Sequence, residues 1–279
     1  INIVLKKDRR GGYFGSAEIS ANTQGGGNAG VNFNYNNHKW DTYASVGFRM
    51  RHNKGGASSY REYDDGTFLK SESTSRNHGN NIFARLGATY HVTESDDIYA
   101  NAFIMRGHPW GSSTTTYTSD VENQWISNVN KSSNKNYMHG LHGEFGYLHK
   151  WSDTHTLDLM VGYNNWNGPR WSSYDQDQEF ADLSTVNIYQ EQEQEMNSSS
   201  WEAKLDYTNH LTDWLKLEAG YDGRYSHENT PVTTYEGTNV DDMVINPMLY
   251  NRFKYDNNIS ALYATLGGKV KAFSFSAGL

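Results

Sequence analysis

The sequence predicts an all-β chain, an antiparallel up-and-down transmembrane β-barrel segment of about eleven strands. Three observations carry this expectation. Apolar residues recur with period two, short and long connections alternate, and aromatic residues gather beside the short connections. Composition agrees: the 279 residues hold 20 Tyr, 11 Phe and 8 Trp with only 4 Pro, which argues against disorder. Mean hydropathy is −0.82, and no run approaches the ~18 apolar residues of a membrane helix. A barrel wall averages out hydrophilic because its strands alternate apolar and polar residues. With no cysteine, a disulfide framework, a thiolate metal site and a cysteine nucleophile are excluded.

The first strand is expected over 12–22, followed by 28–36, where Ala29, Val31, Phe33 and Tyr35 alternate with asparagines. Strand 40–50 carries Thr42, Ala44, Val46, Phe48 and Met50. Strand 80–92 shows a charge-free face from Ile82 through Leu86 to Val92, with Arg85 and His91 opposite. Strands 98–107, 136–149 and 156–165 follow. In 199–208, Trp201, Ala203, Leu205 and Tyr207 interleave with Glu202, Lys204 and Asp206. In 214–226, Leu215, Leu217, Ala219 and Tyr221 interleave with Lys216, Glu218 and Asp222. Strands 256–266 and 272–279 complete the set. A helix would scatter these charges into any apolar stripe, whereas a pleated strand keeps them on one face.

Short turns are expected at 36–39, 93–97, 150–155, 209–213 and 267–271. Between them lie long polar segments, 51–79, 108–135, 166–198 and 227–255, read as loops. Only the glycine-rich turn at 22–27 breaks the alternation. One tidy end and one elaborated end is the layout of an outer-membrane barrel, and loops longer than ~15 residues are uncommon in compact soluble domains. Tyr35 and Trp40, Tyr90, Tyr147 and Trp151, Tyr207 and Trp214, and Phe273 bracket the short turns. Recurrence at five turns favours an interfacial belt over isolated cross-strand pairs. Charges such as Glu18, Arg85, Glu144, Asp158 and Lys204 lie opposite the apolar sets. They face a lumen in a barrel and solvent in a soluble meander, two readings that the pattern leaves open. Both termini read as cut strands, and eleven is odd where bacterial barrels are even, so a piece of a longer chain is expected.

The residues from Ile1 to Lys7, then Gly11-Gly12-Tyr13-Phe14-Gly15-Ser16, resemble the plug–barrel junction of TonB-dependent outer-membrane receptors. Gly30 to Tyr35, Tyr43 to Asn53, Leu217 to Tyr221 and Asn258 to Thr265 are similar to barrel strands of the Bacteroidota branch of that family. The resemblance implies a plug tail at 1–10 and the N-terminal half of a 22-stranded barrel at 11–279, in the outer membrane of a Gram-negative bacterium. It also implies partners: outer-membrane lipid, a TonB complex acting through a plug not contained here, a small-molecule, glycan or peptide ligand, and, as one alternative, a surface lipoprotein.

Four tryptophans in the polar segments, Trp110, Trp125, Trp166 and Trp171, are candidate ligand contacts, or else pins that hold loops together. Asp175, Asp177, Glu179 and Asp182 are weak candidates for a calcium site, lacking an EF-hand's glycine and terminal Glu; a solvated acidic loop is the plainer reading. Glu191, Glu193 and Glu195 alternate with Gln and read as a strand extension with a charged edge. His139 and His142 are three apart and must point to opposite faces of a strand. No nucleophile elbow, phosphate-binding glycine loop or zinc-protease motif is present, so no enzyme activity and no cofactor are expected. A net charge of −8 without a basic patch disfavours nucleic acid. The expected function is capture and import of a scarce nutrient by a TonB-dependent receptor. The alternatives are a surface-exposed glycan-binding or adhesion module, whose apolar faces would pack on a second sheet, and a passive outer-membrane channel.

Overall fold

A computed structural model describes residues 11–121 and 125–279; the expected plug tail at 1–10 lies outside them. The chain is all-β and antiparallel, with one short 3-10 helix at Pro247–Leu249. The strands are β1 (Gly12–Ala21), β2 (Gly27–Asn36), β3 (Trp40–Glu62), β4 (Phe68–His91), β5 (Asp96–Ser119), β6 (Trp125–Asn136), β7 (Met138–Ser152), β8 (His155–Phe180), β9 (Thr185–Thr212), β10 (Leu215–Gly237), β11 (Val244–Ile245), β12 (Asn251–Val270) and β13 (Phe273–Gly278). They form one sheet in which sequence neighbours pair.

β6 and β7 are a single stave. Both pair with β5 and with β8, and the register runs on unbroken across Tyr137. The interruption has a chemical cause. Tyr137 N–H donates to the Pro169 carbonyl at 2.9 Å, but proline has no N–H to return. Counting β6–β7 once and setting aside the two-residue β11 leaves eleven staves, as the period-two pattern predicts.

The polar segments read as loops are a correction. β3 and β4 stay paired out to Glu62 and Phe68, β8 and β9 to Glu179 and Thr185, and β9 and β10 to Tyr189 and Gly237. The sheet therefore continues well past its apolar part, and most connections at that end are tight turns. Hydroxyl pairs bind neighbouring strands there: Ser59 with Ser71 at 2.8 Å, Thr115 donating to Ser73 at 3.1 Å, Ser113 with Ser132 at 2.8 Å and Ser133 with Ser173 at 2.7 Å. β9 lies between β8 and β10, so Glu191, Glu193 and Glu195 belong to a central strand and not to an edge.

Three hairpins share one turn. In 22–26, 63–67 and 180–184 the first residue's N–H bonds the fifth carbonyl, and the fourth N–H bonds the first carbonyl. The fourth residue takes positive φ: Gly25 at 86°, Gly66 at 84° and Leu183 at 66°. Asp65 and Asp182 each accept from the backbone N–H and hydroxyl of the last residue of the same turn, Thr67 and Ser184. Those bonds hold both carboxyls below their usual pKa.

No hydrophobic side chain is buried among the described residues, and the backbone of each strand packs only against its neighbours in the sheet. Among the described residues, the second sheet expected of a soluble module is not there. The residues that are buried are glycines and polar residues, including Ser119, Asn128, Ser172, Thr230 and Thr234. This inverts the arrangement of a water-soluble core.

Candidate functional site

Register places a row of apolar residues from each of the eleven staves on one face. From β2 to β5, Val31 pairs Val46, Ala44 pairs Leu86 and Leu86 pairs Ala102. From β7 to β12, Phe145 pairs Val161, Leu159 pairs Leu205 and Tyr221 pairs Leu262. These side chains stay open: Phe145 is 58% exposed, Val161 51% and Leu262 78%.

The band runs obliquely to the pairing. Its upper limit is Met50 on β3, where His52 and Lys54 follow, and Leu262 on β12, where Ser260 and Asn258 follow. Tracing pairs from Leu262 through Tyr221, Leu205, Leu159, Tyr147, Ile98 and Tyr90 ends on Trp40. Trp40 is ten residues below Met50, so the limit slips ten residues in seven strand steps. At ~3.3 Å per residue and ~4.8 Å between strands, that slip corresponds to a tilt of roughly 45°. Membrane barrels tilt by about 35–45°. Five alternate apolar positions cover ~30 Å along a strand, and about 20–25 Å once tilted, the height of a lipid-facing band.

Aromatic rows border the band. Below it, Trp40 packs on Tyr90 at 4.6 Å, and Trp151 stacks on His155 at 4.2 Å. Above it on β3–β8 a row runs from His52 to His78 (4.2 Å), on to Trp110 (5.4 Å), His108 (5.2 Å) and Tyr137 (4.1 Å), and ends on Trp171 (5.8 Å). On β8–β9 Tyr163 packs against Trp201 at 4.5 Å. Trp110 and Trp171 thus sit on strands, on the apolar side, in the upper row. Trp125 opens β6 beside Tyr117, at 6.0 Å.

The opposite face is a polar wall. Tyr43 Oη donates to Asn101 Oδ1 at 3.4 Å, Asn101 Nδ2 to Glu144 at 3.3 Å, and His142 meets Glu144 at 3.1 Å. Tyr99 Oη donates to Asp158 at 3.0 Å. Arg85 lies over the Phe103 ring, 5.3 Å from its centroid. Glu202 joins Lys204 at 2.7 Å and Arg224 at 2.8 Å. His139 pairs Arg106 on the other face, so the two histidines diverge as their spacing predicts.

A recurring device shapes this wall. Aromatic rings lie flat over glycines directly paired across the strand: Phe83 over Gly47, Tyr43 over Gly87, Tyr99 over Gly146, Trp166 over Gly140 and Tyr263 over Gly220. Each glycine leaves a slot that any Cβ would fill. Trp166, alone of the four candidate tryptophans, clearly faces this wall. Its Nε1–H donates to Asn164 Oδ1 at 3.0 Å. With Asn136, Met138, Arg170 and Met196 it lines a niche of about 110 Å³. Those four partners were not singled out by sequence. The only available cue was their parity with Trp166 across segments that looked like loops. Higher up, Tyr174, Gln176, Ile188, Gln190 and Gln192 line an open groove of about 450 Å³.

The acidic candidates fall elsewhere. Asp175, Asp177 and Glu179 are on β8 and Asp182 is in the 180–184 turn. Asp175 and Asp177 share Lys131 at 3.4 and 3.0 Å, and Asp182 is bonded to Ser184. Alternate residues on a strand stand ~6.5 Å apart, too far for a compact oxygen cage. No group of three metal-ligating side chains is gathered among the described residues.

No curated protein sequence matches the chain. Among solved structures it is similar to the ferric yersiniabactin uptake receptor FyuA from Yersinia pestis, at 8% identity and TM-score 0.34, covering 94% of this chain and 45% of that one. It is also similar to the CymD monoaromatic hydrocarbon channel, at 11% identity and TM-score 0.28, covering 81% and 77%. The Ralstonia pickettii toluene transporter TbuX is similar at 12% identity and TM-score 0.31, covering 96% and 83%. The chain spans under half the length of the first. Residues 149–279 match the outer membrane protein beta-barrel family, and with the oblique lipid-facing band this places the chain in the outer membrane of a Gram-negative bacterium.

Proposed function

We propose that the chain forms part of the wall of an outer-membrane transporter, and that its polar face lines the path of an imported solute. One observation carries this reading: a single-layer sheet without an apolar core, lipid-compatible on one face and charged on the other. Hydrocarbon tolerates β-structure only where backbone groups are paired, so further strands are expected at β1 and β13. The niche beside Trp166 and the groove at Gln190 are two recessed places on the inner wall. Solute contact is assigned there, and not to Trp110 or Trp171, which face the lipid side.

Coupling to TonB is the finer part of the proposal and rests on the resemblance of 1–16 and the early strands to TonB-dependent receptors. It predicts uptake by whole cells that stops when a protonophore collapses the inner-membrane proton gradient. Uptake unchanged by the protonophore would favour a passive channel. A protein that stays soluble and monomeric without detergent would remove the membrane reading altogether.

A further inference from the structure

We propose that the apolar-side strip immediately above the band on β3–β7 is a docking surface for the phosphate groups of outer-leaflet lipids. The proposal rests on the membrane reading above and adds a bound partner to it. Four cations occupy the strip. On the face that carries the band, Arg106 is the next residue after Ile104, Lys54 the second after Met50, and Arg76 and Lys135 the third after Ile82 and Leu141. Register brings them together: Lys54 pairs Arg76, and Lys135 pairs Trp110, which pairs His78.

These charges are uncompensated. Among the described residues, no carboxylate lies within 4.0 Å of any of the four. The nearby carboxylates are engaged elsewhere, Glu72 by Lys70 at 2.7 Å and Asp175 and Asp177 by Lys131. At the same height on β9 the face carries Glu195, so the attraction is confined to the β3–β7 side.

Height decides what the strip meets. Three alternate positions are ~20 Å along a strand, about 15 Å once tilted, which reaches the headgroup layer. Arg and Lys extend further by snorkelling. The row of aromatic rings through Trp110 and Tyr137 has the amphipathic character favoured at that depth. Arginine's planar fork suits phosphate oxygens in pairs, and lysine adds a point charge. The geometry commits to lipid phosphate: free phosphate would gain nothing from the apolar band below.

The test uses the complete protein in phosphatidylcholine vesicles, with spin-labelled phosphatidic acid and spin-labelled phosphatidylcholine as boundary-lipid probes. We expect phosphatidic acid to be enriched roughly fivefold next to the wild type, and the enrichment to fall towards onefold as salt rises. The variant Lys54→Gln/Arg76→Gln/Arg106→Gln/Lys135→Gln should lose the enrichment, while Lys39→Gln at the opposite rim should keep it. If the variant does not fold, the wild-type salt titration decides alone. Equal association of both probes with the wild type overturns the proposal, as does full enrichment in the folded quadruple variant. Displacement of phosphatidic acid by millimolar inorganic phosphate at constant ionic strength would overturn the commitment to lipid. A protein that enters no vesicle at all defeats the membrane reading first, and is recognised by its absence from the vesicle fraction.

Discussion

Replacing Gly140 with alanine tests whether the inner wall is built on ring-over-glycine contacts. A Cβ at Gly140 would lie 2.6, 2.8 and 2.9 Å from Cζ3, Cη2 and Cε3 of Trp166. Ordinary carbon contacts are about 3.5–4.0 Å, so the indole must retreat by roughly 1 Å. Its retreat is opposed by the 3.0 Å bond from Nε1 to Asn164 and by Met138 and Met196 around the niche. Overpacking of this kind costs about 1–3 kcal/mol, offset by about 0.4–1 kcal/mol from the stiffer unfolded chain. The net expectation is a loss of about 1–2 kcal/mol in denaturant unfolding of the complete protein in detergent. In a Trp166→Ala background the same substitution should cost under about 0.5 kcal/mol, because the clash is gone. Additive single and double variants would refute the reasoning, and so would a Gly140→Ala protein as stable as the wild type.

Three further outcomes are expected. Leu205→Arg places a charge at the middle of the apolar face and should cost roughly 2–4 kcal/mol in bilayer-referenced unfolding; tolerance would mean that Leu205 does not meet lipid. Leu183→Gly should stabilise by roughly 1 kcal/mol by relieving a left-handed leucine, and Gly66→Leu should destabilise by a similar amount, both read as shifts in unfolding midpoint. At the short-turn end, below the apolar band, His91 bridges Asp97 at 2.5 Å and Asp41 at 3.2 Å, and Lys150 bonds Asp97 at 2.6 Å. Burial opposes both ionisations, yet these bonds raise the His91 pKa and lower that of Asp97. The Asp97 contribution is therefore present above its unfolded pKa near 4 and is lost as pH falls through the depressed value. The His91 contribution is complete below about pH 6.5 and is lost as pH rises through the raised value. Amide exchange in the 91–97 turn should be slowest between those limits, and an exchange rate flat from pH 4 to 8 after correction for intrinsic chemistry would contradict it.

The band could be read from sequence because Ile82–Tyr90 or Trp201–Tyr207 contrast apolar with polar at every second residue. The strand extensions could not. In Ser71-Glu72-Ser73-Thr74-Ser75-Arg76 both faces are polar, so alternation carries no signal although the backbone pairs throughout. Pro109 and Pro169, a residue type rare in strand interiors, lie beside the break at Tyr137. The same blindness hid the inner wall. Trp166 and Trp171 look alike as residues of one polar segment, and only the parity of β8 sends the first inward and the second towards lipid. The four acidic candidates drew attention by density, whereas three are spread along β8, two of these held by Lys131, and the fourth lies in the 180–184 turn.

The oblique course of the apolar band makes the sheet behave like a vernier. Each strand's membrane level is set by the previous strand's level plus a fixed offset of pairing. A two-residue slip between β8 and β9 would thus leave β1–β8 where they are, yet move β9 through β13 together by about 5 Å along the membrane normal. Small insertions near the lipid-facing part would act on every strand that follows, while equal changes at the far tips of the hairpins would act on nothing beyond themselves. Length variation should accordingly be tolerated at the 63–67 and 180–184 turns and resisted at 36–40 and 152–155.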